Sequence, residues 1–138
     1  MSIDRDVEKF KTAILPNLSV RNGADAVEFY KRAFGATEAW RITSPDGHVV
    51  AEMAIDGARF LLADESPDHA NFSPESLGGS SVRIDLLVAN PDAVQERAIA
   101  AGAKEIFPVA DQDFGYRMGR VKDPYGHHWP IARPLGGR

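Results

Sequence analysis

The residues of this chain equipped to hold or act on a small molecule are Asn17, Glu52, Arg59, Arg83, Asp85, Tyr116, Arg120 and His128, with Ser19 beside them. Arginine presents a planar fork of donors suited to carboxylate or phosphate, and the carboxylates accept hydrogen bonds from a polar ligand. Glu52 and His128 are the candidate catalytic pair, because a carboxylate and an imidazole that converge on one substrate atom can relay a proton. The same acids also suit a structural role, in which Arg59, Arg83 or Arg120 neutralises Glu52 and Asp85 within an ionic network. Spacing alone leaves both readings open. His127 and His128 look like a metal pair, but neighbours on a strand point to opposite faces and do not chelate one ion. His48, beside a turn, and His69, in a long polar stretch, read as solvated. Phe114 and Tyr116 either close over the site or anchor their own loop, and Trp40 and Trp129 read as core or interface aromatics.

Other chemistries are excluded by what the sequence lacks. Without cysteine there is no disulfide, thiolate metal site or cysteine nucleophile. No Walker motif, dinucleotide fingerprint, HExxH string or nucleophile elbow occurs. The formal net charge is −4, with no long basic run, so the chain has no field to draw nucleic acid or an anionic membrane surface. A hydrophobic fraction of 43% and a charged fraction of 26% are those of an ordinary soluble protein. No apolar run reaches spanning length and the first 13 residues are too charged for a signal peptide, so a cytoplasmic location is expected. The length, 138 residues, suits one domain with a real core.

The elements that must position these side chains follow from periodicity. Ile3, Val7 and Phe10 predict a short amphipathic helix over 2–13. Leu15 to Val20 reads as a strand. A helix follows from an Asn22 N-cap through Val27, Tyr30 and Phe34 to Gly35. Three strands fit between Glu38 and Ala63, broken at Ser44-Pro45-Asp46-Gly47 and Asp56-Gly57. After a loop over about 65–80 the order repeats. Val82 to Val88 is a strand, Asn90-Pro91 opens a helix that closes at Gly102, and residues 104 to 132 supply three strands. The last two meet at Asp123-Pro124-Tyr125-Gly126, a type I turn sequence. Alternation puts Leu18, Ala51, Met53, Phe60, Leu62, Ile84, Leu86, Val88, Trp129 and Ile131 beneath the helices, and the polar residues named above on the opposite, concave faces.

The halves also match in register. Asp25-Ala26-Val27 recurs as Asp92-Ala93-Val94, and Ala33, Gly35, Ala36 and Glu38 recur as Ala100, Gly102, Ala103 and Glu105, every pair 67 residues apart. With the same order of elements, this predicts a duplication. The fold class is therefore α+β: two tandem βαβββ modules, about 14–64 and 81–133, each a curled mixed sheet with its helix on the convex side.

This paired module resembles the vicinal oxygen chelate superfamily, which contains glyoxalase I, extradiol dioxygenases, fosfomycin-modifying transferases and bleomycin-resistance proteins. The strings that carry the likeness are Ala24-Asp25-Ala26-Val27-Glu28-Phe29-Tyr30-Lys31-Arg32-Ala33-Phe34-Gly35-Ala36 and Gly119-Arg120-Val121-Lys122-Asp123-Pro124-Tyr125-Gly126-His127-His128-Trp129. The segment Asp111-Gln112-Asp113-Phe114-Gly115-Tyr116-Arg117-Met118-Gly119-Arg120 is similar to the PhnB-like subgroup.

The resemblance implies a cup in each module and, in metalloenzyme relatives, a divalent metal held near the start of the first strand and on the fourth. Those positions here are Asn17 and Leu61 in one module, and Asp85 and Pro130 in the other. Leucine and proline bring no side-chain donor, and a hard cation needs several oxygen or imidazole ligands at once. No cofactor is expected. The reading is a metal-independent binder of a small polar molecule, working as a homodimer like its bleomycin-resistance relatives. The alternative is a metal-dependent lyase, isomerase or dioxygenase with a less familiar site at Glu52, Asp85 and His128. A third reading is an interaction subunit with vestigial cups.

Overall fold

A computed structural model describes residues 9–136. Its first module comprises β1 (Asn17–Val20), α1 (Gly23–Phe34), β2 (Thr37–Thr43), β3 (Val49–Ile55) and β4 (Ala58–Asp64). A short helix, α2 (Pro74–Leu77), lies in the connection. The second module comprises β5 (Leu86–Leu87), α3 (Pro91–Ala101), β6 (Lys104–Asp111), β7 (Tyr116–Lys122) and β8 (His128–Pro134). The strands form two four-stranded sheets of matching order, β1-β4-β3-β2 and β5-β8-β7-β6. In each, the first strand runs parallel to the fourth and the other neighbours are antiparallel.

Local chemistry accounts for the boundaries. The side-chain oxygens of Asn22 and Asn90 accept from the backbone N–H groups of Asp25 and Ala93, satisfying donors that helix starts leave free. Gly35 ends α1 in the left-handed region at φ 68°. Asp56 and Gly57 both take positive φ, the geometry of a two-residue hairpin whose twist suits its strands.

Three expectations change. The strand predicted over Val82–Val88 shortens to two residues, although hydrogen bonds from Ile84 to His128 and from Val88 to Ala132 carry the segment alongside β8. As an edge segment it has a ladder on one side only, and nothing forces it to stay regular. The connection over 65–80 is not structureless: it makes a 3-10 turn at Pro67–His69 and then α2, whose N-cap Ser73 is fully buried and accepts from Ser76 N–H. Of the N-terminal helix, residues 2–8 lie outside the described residues, and residues 10–13 are not helical. Among the described residues no helix is long and apolar enough to cross a membrane.

The core lies where alternation placed it. Leu18, Ala51, Met53, Phe60, Leu62, Leu86, Trp129 and Ile131 are buried, with Ile84 and Val88 packed against them. At its centre Tyr30 and Phe34 of α1 meet Trp129 of the second module, with ring centroids 5.6 and 4.8 Å apart. Asp123, 2% exposed, ties this aromatic block to its turn. Its carboxylate accepts from Tyr30 Oη at 2.5 Å, Trp129 Nε1 at 2.9 Å, and the backbone N–H groups of Tyr125 and His127 at 2.9 and 3.0 Å.

Replacing Asp123 by Ala strands two buried side-chain donors and two turn N–H groups, a loss expected to cost about 3–5 kcal/mol in urea unfolding. A loss under about 1 kcal/mol would contradict this account. Burial and then Asp123 push the Tyr30 phenol up, and burial and then Asp25 do the same to Tyr125. Both are therefore stabilising while protonated. Stability should be fully present below about pH 10, where unfolded tyrosine ionises, and fall as pH rises above it. Melting temperature against pH checks the direction, and Tyr30→Phe should flatten the alkaline limb.

Candidate functional site

Strand register decides which polar residues share a neighbourhood, because side chains directly opposite across a sheet lie on the same face. In the first sheet Trp40 pairs with Glu52, Glu52 with Leu61, and Leu61 with Asn17. These four make one row on the face away from α1. In the second sheet Phe107 pairs with Arg120 and Arg120 with Pro130. Asp85, one residue before the Leu86–Ile131 pair, falls beside Pro130. The two rows are equivalent by topology. One reads aromatic, glutamate, leucine, asparagine, and the other aromatic, arginine, proline, aspartate.

Glu52 is engaged by Arg59, whose Nε and Nη2 lie 2.9 and 3.1 Å from the two carboxylate oxygens. The guanidinium beside it holds the Glu52 carboxyl below its ordinary range. Of the two readings that spacing left open, the paired one thus holds for Glu52. Asp85 is exposed and, among the described residues, makes no ion pair. Arg120 leans over the Phe107 ring, 5.4 Å from its centroid, with a buried Nε that has no hydrogen-bond partner. Tyr116 lies at the far end of β7, opposite Pro134, with its ring 6.0 Å from that of Phe114. Ser19 pairs with Ala63 on the same face as Asn17, and its carbonyl accepts from His127 Nε2.

His128 pairs with Lys122 in β7 and bridges to Arg83 on its other side, while Lys122 pairs with Lys104 in β6. Burial, and then the Arg120, Lys122 and Arg83 cations, hold the His128 imidazole below its ordinary pKa, with Asp123 opposing. The base is therefore neutral near pH 7, and its Nδ1 is buried without a partner. Spacing missed Lys104, Lys122 and Phe107. The Asp123 turn held the signal, since it fixes Lys122 opposite His128 and so on the concave side.

The structure does not assemble the alternative metal site. Among the described residues no group of three His, Asp or Glu side chains comes together to hold a metal, so Glu52, Asp85 and His128 are not such a group. Asn17 lies opposite Leu61, and Asp85 precedes the Leu86–Ile131 pair beside Pro130, so the positions that would hold a metal in relatives offer an amide and a leucine in one sheet and one carboxylate and a proline in the other. This donor set does not fit a divalent ion.

The model of the Glyoxalase/Bleomycin resistance protein/Dioxygenase superfamily matches residues 13–131. The chain belongs to this superfamily. Its relatives include an uncharacterized protein of Mycobacterium tuberculosis, 40% identical over 127 residues that span 89% of this chain and 75% of the relative. Another, from Arabidopsis thaliana, is 32% identical over 133 residues, 90% of this chain and 78% of the relative. A crystal structure of an Arabidopsis thaliana gene product superposes with TM-score 0.70 at 31% identity, covering 89% of this chain and 99% of that one. The fold is shared as well with TioX from Micromonospora, TM-score 0.69 at 22% identity over 92% of this chain and 99% of that one. A PhnB protein from Bacillus cereus has TM-score 0.65 at 17% identity over 88% and 99%.

The environment of His128 sets a measurable titration. Its imidazole resonances should titrate below an ordinary histidine in an NMR pH series, and Arg120→Met should move the midpoint upward. An unshifted midpoint in that variant would mean that Arg120 does not act on the ring.

Proposed function

We propose that this superfamily member binds a small polar molecule on its concave faces without a resident metal, as a homodimer in the cytoplasm. The observation that carries the reading is the pair of equivalent rows. Both occupy the positions where a metal would be held in relatives, and three of the four side chains there, Asn17, Leu61 and Pro130, are an amide or lack a donor altogether. Arg59, Arg83, Arg120, Asp85 and His128 supply forked donors, a carboxylate and a neutral imidazole for a ligand. Glu52 orients Arg59 by the bidentate pair. The dimer is supported by the first sheet, where Trp40, Ile42 and Val50 are 41%, 62% and 40% exposed and Ile42 pairs directly with Val50. Contiguous apolar surface of this kind marks an interaction site.

Protein purified without chelators should contain no stoichiometric divalent metal by elemental analysis. A bound equivalent lost in Asp85→Ala would replace this reading with the metal-dependent enzyme. Light scattering should give twice the chain mass at micromolar concentration, and Trp40→Glu should shift it toward monomer; a monomer at all concentrations would remove the dimer.

A further inference from the structure

The concave face of the second sheet carries an arrangement that folding alone does not favour. Lys104, Lys122, His128 and Arg83 stand side by side across four neighbouring segments, each directly opposite the next. Like charges placed directly opposite on a sheet repel and destabilise it. Among the described residues Lys104, Lys122 and Arg83 have no carboxylate partner, although acidic residues outnumber basic ones 20 to 16 in the chain. Elsewhere the arginines find acids readily: Arg117 holds Asp92 and Asp111, and Arg41 holds Glu38.

The row also faces space. Lys104, Lys122 and His128 line an open cleft of about 610 Å³, closed on its other side by Pro74, Glu75, Gly78 and Gly79. Two acids share that lining. The Asp123 carboxylate is fully engaged by its four donors, and Glu75 lies 3.9 Å from Arg21 Nη1. Neither makes an ion pair with Lys104, Lys122 or Arg83.

We infer that this row is an anion subsite, which takes the doubly charged head of a phosphate ester in the cleft at Lys104, Lys122 and His128, with Arg83 flanking His128 at the end of the row. The inference rests on the small-molecule reading above and names the ligand's chemistry. Two lysines lining the cleft, with Arg83 flanking them, match a dianion better than a single carboxylate, and a neutral imidazole can donate to an anionic oxygen or accept from a protonated one without adding a further charge. An anion placed there would turn mutual repulsion into shared attraction.

The test is titration with inorganic phosphate, and with acetate as the monoanionic arm, at constant ionic strength, in parallel with and without chelator. It is followed by calorimetry and by the His128 resonances. Saturable phosphate binding that moves those resonances is expected, with acetate weaker by about tenfold or more and Lys122→Met and Lys104→Met each weakening phosphate by about tenfold. Lys11→Met, exposed and far along the chain, serves as the charge control. Unchanged phosphate binding in both variants, or no saturation in a wild-type protein that stays folded, overturns the inference while leaving metal-independent binding of an uncharged molecule intact. Phosphate binding that vanishes with chelator and in Asp85→Ala overturns both, because the anion would then be held by a metal.

Discussion

A single carboxylate with four donors around it holds the two halves of this molecule in one arrangement. Asp123 sits at the foot of the β7–β8 turn, and its side chain takes the turn's own N–H groups together with the Tyr30 phenol 93 residues away and the Trp129 indole. Desolvating a charge is expensive, and only near-complete hydrogen bonding makes such burial tolerable. The network therefore specifies more than it stabilises: any other relation between α1 and β8 would leave a buried anion short of donors. The position of His128, Lys122 and the rest of the concave row depends on this one turn.

The two modules share a scaffold and have diverged in charge. Equivalent positions carry Glu52 in one sheet and Arg120 in the other, each beside an aromatic ring. In the first sheet the acid is neutralised by Arg59 on the neighbouring strand, and the surface around it is apolar. In the second, among the described residues, Lys104, Lys122 and Arg120 and the neighbouring Arg83 are left without acids. One face is thus suited to covering by protein and the other to a charged solute.

Much of this was legible in the chain because period-2 alternation assigns faces without reference to the partner strand. Ala51, Met53, Phe60 and Leu62 are placed in the core by that rule alone, and all are buried. Register was the missing information. The sequence alone does not single out Lys104 and Lys122, and it is strand pairing that puts them in line with His128. Asp123 was read as a turn former, which it is, but its second oxygen serves side chains that no local pattern connects to it. The edge segment 82–88 was overread as a full strand, since its alternation persists where the ladder does not.

Phe60 and Trp129 stand at corresponding places in β4 and β8, each one residue before the position beside the first strand, and their ring centroids lie 5.6 Å apart. A residue that meets its own counterpart is what an isologous twofold contact produces. The aromatic block at the heart of the chain therefore has the form of a twofold contact between its two modules, one side phenylalanine and the other tryptophan.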